Sequence, residues 1–112
     1  LGKTMGAALG TSANTDILGN GSSSGKVLKI NSVIVANVDG TNNATVNVHF
    51  YDHDNTARYN IAHLVSVPAG STLVVIGKDS PIYLEEGDQI EASASAASDL
   101  EMIISYEELD DA

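Results

Sequence analysis

Short β-type runs, broken at near-regular intervals by turn chemistry, set the strongest limit on what this chain can fold into. From Val67 to Leu109, three such runs are separated by Pro68-Ala69-Gly70, Glu85-Glu86-Gly87-Asp88 and Ala97-Ser98-Asp99. Proline cannot donate to a ladder, and Gly, Asp and Asn accept turn conformations that other residues resist. Within the runs the pattern alternates. Ile90, Ala92, Ala94 and Ala96 share one face, with Glu91, Ser93 and Ser95 on the other. Leu100, Met102, Ile104 and Tyr106 repeat that spacing, which is the period of a half-buried strand.

The upstream half reads the same way. Between Lys26 and Val38, Leu28, Ile30, Ser32, Ile34, Ala36 and Val38 fall on one face, and Lys29, Asn31, Val33, Val35 and Asn37 on the other. Asp39-Gly40-Thr41-Asn42-Asn43 supplies a hairpin turn. Ala44–Tyr51 turns Val46, Val48 and Phe50 inward, and Asp52-His53-Asp54-Asn55 forms the next turn. Arg58–Val67 places Tyr59, Ile61, His63, Val65 and Val67 on one side. Two shorter apolar pieces follow, Leu73–Ile76 and Ile82–Leu84, with Gly77-Lys78-Asp79-Ser80-Pro81 between them. About seven or eight short strands at roughly ten-residue spacing, with almost no helical periodicity, predict an all-β, antiparallel β-sandwich of jelly-roll type.

Residues 1–25 are rich in Gly, Ala, Ser, Thr and Asn and are read as a flexible N-terminal arm, with residues 26–112 as the sandwich domain. The arm's apolar side chains Leu9, Ile17 and Leu18 are candidate contacts with a neighbouring subunit. Val33 and Val35, with Ile103 and Tyr51, are further candidates because the alternation turns them away from the core. A first residue other than Met points to trimming, processing or a fragment. The start carries no apolar core of a secretory signal, and no apolar run reaches the ~20 residues a membrane helix needs.

Composition narrows the function. Fifteen acidic residues against five basic ones give a net charge of −10, which repels phosphate backbones and anionic lipid, so neither nucleic acid nor membrane is an expected partner. Five of the acids lie between Glu101 and Asp111 and read as a solvated acidic end. Without cysteine there is no disulfide, thiolate ligand or thiol nucleophile.

His49, Asp52, His53 and Asp54 are the one cluster with metal-ligand residue types. On an extended strand His49 and His53 stand ~13 Å apart, too far to share an ion unless the turn folds back. A calcium loop starting at Asp52 needs Gly and Glu where this chain has Ala57 and His63, which excludes an EF-hand. Glu85, Glu86 and Asp88 sit in a tight turn, where solvated carboxylates have no tuned pKa to offer glycoside chemistry. No nucleophile-elbow serine or phosphate loop occurs. The reading is of a non-enzymatic chain that needs no cofactor. The loops around Asp39 and Asn42, and around Asp52, His53 and Asp54 with His49 nearby, are candidate recognition elements.

The ordered set Val67-Pro68-Ala69-Gly70, Leu73–Ile76, Ser80-Pro81-Ile82-Tyr83-Leu84-Glu85-Glu86-Gly87-Asp88 and Ser105-Tyr106-Glu107-Glu108 resembles small virion structural proteins of tailed bacteriophages, often marine ones. The resemblance spans about Lys26 to Leu109 and fades over the first 25 residues. It implies a β-sandwich on the outer surface of a virion. In the first instance that is a capsid decoration (cement) protein, assembling with itself, most often as a trimer, and with the major capsid protein. A neck, tail or fibre component is the runner-up, followed by a glycan-binding module using the Asp39–Asn43 and Asp52–Asn55 loops.

Overall fold

The computed structural model of the chain describes residues 1–110. The last two residues of the expected 26–112 domain, including Asp111 of the acidic end, lie outside them. Nine antiparallel strands and no helix occur among the described residues: β1 (Gly2–Ala8), β2 (Asp16–Gly19), β3 (Lys26–Asn37), β4 (Ala44–Asp52), β5 (Ala57–Val67), β6 (Thr72–Ile76), β7 (Ile82–Leu84), β8 (Gln89–Ala94) and β9 (Leu100–Asp110). One sheet runs β1-β9-β3-β6, with β7 pairing β3 beside β6, and the other runs β2-β8-β4-β5. The expected β-sandwich is present, with one strand more than the upper expectation because β1 belongs to it.

The core between the sheets is aliphatic. Ile30, Val46, Val48, Ile90, Leu100 and Ile104 are fully buried, and Ala92 and Ala94 leave room for the larger side chains of the facing sheet. The alternation read from Ala44–Tyr51 and Leu100–Tyr106 is the observed one, and that read from Gln89–Ala96 holds to Ala94, where β8 ends: these inward positions are buried or pack on the core.

The parity of β3 is not. Ile30 opposes Tyr106 while Ser32 opposes Ser105, so Asn31 is an extra residue on β3, a β-bulge. One added residue exchanges the two faces of everything after it. Leu28 and Ile30 point inward before the bulge, and Val33, Val35 and Asn37 after it, each of the two valines at 0% exposure. Val33 and Val35 are therefore core residues, not subunit contacts. Ile34 takes the outer face beside Ile103 and Val74, its register partners on β9 and β6. Asn31 is held by donating from Nδ2 to the Glu107 carboxylate at 3.0 Å.

β5 carries two further irregularities against β4, near Ile61 and near His63-Leu64, and Leu64 sits at φ +51° with its N–H donating to Asn47 Oδ1. These twist His63 and Leu64 outward, whereas simple alternation puts His63 inward.

The first 25 residues also differ from the flexible arm expected of them. β1 pairs with β9 from Gly2 to Ala8, and β2 pairs with β8. Between them Leu9 is buried in the core, and its backbone exchanges hydrogen bonds with Leu100 and Ser98. The Gly10 and Thr15 carbonyls accept from Ala94 and Ala92. Asn20, itself buried, closes the Gly-Ser connection. Its Nδ2 donates to the Lys26 and Leu84 carbonyls, its Oδ1 accepts from Ser24, and its backbone bonds to Gly87 and Asp88. Glycine-rich composition lowers propensity, but satisfied backbone groups and one buried Leu hold the segment in place.

Candidate functional site

The expected site residues fall into three groups. Leu9, Val33 and Val35 are buried, and Ile17 and Leu18 are half-buried against the core, so these five serve packing within the subunit. Asp39 and Asn42 form a self-contained loop. The Asp39 carboxylate accepts from the Thr41 and Asn42 backbones and from Asn42 Nδ2, and these bonds, led by Thr41, hold its pKa below the ordinary carboxylate value. The Asp52 carboxylate accepts from Asn55 Nδ2. The His53 backbone donates to Asp88 Oδ1 and its ring lies against Gly87, where φ is +89° and a Cβ would come within 2.6 Å of it. His53 and Asp54 are exposed.

The Asp39 and Asp52 loops stand at opposite ends of β4. Nine strand residues place them about 27–30 Å apart, so they do not form one recognition surface. No group of three or more His, Cys, Asp or Glu side chains able to hold a metal ion occurs among the described residues.

His49 belongs to an arrangement that the sequence did not disclose. It faces Glu91 across the β4–β8 ladder, with Nδ1 4.0 Å from Glu91 Oε1; that nitrogen is buried and has no hydrogen-bond partner. Glu91 is on the outer face of its sheet yet only 2% exposed. From β5, Arg58 reaches it with Nε at 2.7 Å and a second guanidinium nitrogen at 3.3 Å, and stacks over the Tyr51 ring at 4.8 Å from its centroid. A buried carboxylate needs such a forked donor, and this one also raises the Arg58 pKa. Asp16 opposes Glu91 from β2, and burial, followed by the Glu91 charge, raises the Asp16 pKa. Arg58 and Glu91 thus tie β5 to β8 across β4 on one sheet face, with the His49 ring and the repelled Asp16 carboxylate close beside them. Glu91 looked like an ordinary solvated strand residue because its burial comes from side chains on three other strands.

The side of the sandwich bordered by β5, β6 and β7 has a different character. β5 is the terminal strand of one sheet, and β6 and β7 share the edge of the other. Large apolar side chains stand in solvent there: Tyr59 at 55%, Leu64 at 60%, Val74 at 62% and Tyr83 at 51% exposure. Where the sheets part, a groove of about 520 Å3 is lined by Phe50, Tyr59, Asn60, Ile61, Ile82 and Tyr83. From Ala57 to Leu84 the charged side chains are Arg58, Lys78 and Asp79, so one of the chain's fifteen acids lies in this segment. An acid-poor stretch in so acidic a chain was a readable signal, as was the interruption of one edge into two short strands.

Neither a protein-family model nor a curated protein matches the chain. No helix among the described residues is long and apolar enough to cross a membrane.

Proposed function

We propose that this chain is a non-enzymatic structural subunit of a virion, in the first instance a decoration protein seated on the outside of a phage head. The observation that carries the reading is the apolar, acid-poor side made by β5, β6 and β7. Isolated exposed apolar residues are ordinary, but four large ones on the open edges of both sheets, two of them, Tyr59 and Tyr83, lining an apolar groove, make a surface suited to covering by protein. The remaining acids, many of them at the turns, keep the rest of the molecule soluble. A sandwich held by strand pairing and an aliphatic core is a rigid unit for bridging neighbours on a shell under pressure. The order of turns and strands from Val67 to Glu108, with its resemblance to phage virion proteins, supports the choice of particle.

The test is to apply gold-labelled antibody against the chain to intact particles of the virus that encodes it. Label distributed over the head supports decoration. Label confined to one vertex or to the tail replaces it with a neck, tail or fibre role, and unlabelled particles remove the virion reading.

A further inference from the structure

We infer that the β5–β6–β7 side is the seam between two copies of this chain, related by a two-fold axis; this rests on the assembly reading above and names its partner. Two observations select a second copy as the occupant. The first is charge. Each chain carries −10, so two copies meeting through acid-bearing surfaces repel. The segment Ala57–Leu84 carries Arg58, Lys78 and Asp79, a sum of +1, and Arg58 is already engaged by Glu91. Two like-charged molecules can approach here with one carboxylate per copy, Asp79, next to Lys78.

The second observation is the match of area and chemistry. Tyr59, Leu64, Val74 and Tyr83 each expose half or more of their surface, which amounts to roughly 400 Å2 of apolar area at full side-chain exposures on the order of 150–200 Å2. A standard interface buries about 800 Å2 per partner, with an apolar share of about 56–65%, so this patch supplies most of the apolar part of one. An apolar patch needs an apolar counterpart. The opposite edge of the same sheet, β1, also lacks acids, but its exposed residues are Gly2, Lys3, Thr4, Gly6 and Ala8, small, polar or charged. The other large apolar residues exposed among the described residues, Leu1, Val38, Ile103 and Leu109, stand next to Glu108, Asp39, Glu101 and Asp110, so the acid-poor counterpart is the same side of a second copy. A surface that pairs with itself is isologous and closes at two.

The test uses the full chain at a series of concentrations, with mass read by light scattering after size exclusion. The expected result is a shift from 11.6 kDa towards about twice that mass as concentration rises. Val74→Glu and Tyr83→Glu place a carboxylate in the seam and should weaken association on the order of a hundredfold or more. Both residues are exposed, so circular dichroism and the melting temperature of the monomer should hold. Thr4→Glu on the β1 edge should leave association unchanged. A chain that stays monomeric at high concentration, forms trimers, or associates equally well with Val74→Glu overturns the two-fold seam.

The two readings fail separately. Particles that carry the chain as isolated monomers sink the seam and leave the virion role standing. A dimer broken by Val74→Glu, but absent from particles, does the reverse.

Discussion

The exchange of faces at Asn31 makes a prediction opposite to the one that unbroken alternation makes, on two adjacent residues. Val35 is 0% exposed between the sheets, and Ile34 lies on the outer face. Val35→Thr keeps the shape and replaces one methyl by a hydroxyl. Burying that hydroxyl without a partner costs ~1–3 kcal/mol, and the lost methyl ~0.8 kcal/mol, so the change should destabilise by about 2 kcal/mol or somewhat more. At about 4 °C per kcal/mol for a domain of this size, the melting temperature should fall by about 8 °C. Ile34→Thr removes apolar atoms already partly in water and should cost under ~1 kcal/mol. Equilibrium urea unfolding followed by circular dichroism reads both variants, with the midpoint moving at an unchanged slope. If Ile34→Thr costs as much as Val35→Thr or more, the bulge is misplaced, and with it the assignment of Val33 and Val35 to the core.

Three further changes probe the segments that composition alone misjudges. Asn20→Ala removes the amide that donates to the Lys26 and Leu84 carbonyls and should cost ~1–3 kcal/mol, with hydrogen exchange speeding first in Gly21–Gly25. Asp16→Asn should stabilise the protein modestly, under ~1 kcal/mol given how much of the group is solvated. Its sign follows from the raised pKa. The fold disfavours the ionised carboxyl, so the penalty is present above the folded pKa and disappears as pH falls through it. The gain in melting temperature should therefore appear at neutral pH and vanish in acid, and a gain that persists in acid refutes the cause assigned. Arg58→Ala should destabilise more than Glu91→Gln, because it strands a buried carboxylate whereas the amide removes the charge that needed pairing. Melting curves of the two variants and their double mutant decide it.

Fold class was legible because most strands carry their pattern locally. β4, β8 and β9 present the faces their alternation states, and the turns at Pro68–Gly70 and Glu85–Asp88 stand where proline, glycine and aspartate place them. What escaped was non-local. A bulge at Asn31 leaves no trace in composition, since it is set by the register with β9 and stabilised by Glu107. The order of the first 25 residues depends on Leu9 and Asn20 finding partners near residues 84–100, which a count of glycines and serines conceals. The site escaped for the same reason. Glu91 is buried by His49, Arg58 and Asp16 from three other strands, and the exposed apolar side exists only once β5 is laid against β6 and β7. Val33 and Val35, picked by parity as outward, were therefore core, whereas Ile103 is outward at 44% exposure, and Tyr59, Leu64, Val74 and Tyr83 were passed over.

The central claim is that the chain is a repeated external component of a viral shell, and its stoichiometry tests this most directly. Quantitative mass spectrometry of purified particles, with the major capsid protein as the internal standard, gives copies of this chain per shell subunit. A repeated external component gives a ratio within a small whole-number factor of the capsid protein, and mild denaturant releases the chain while the shell stays closed. A trace ratio, or absence from purified particles, contradicts it.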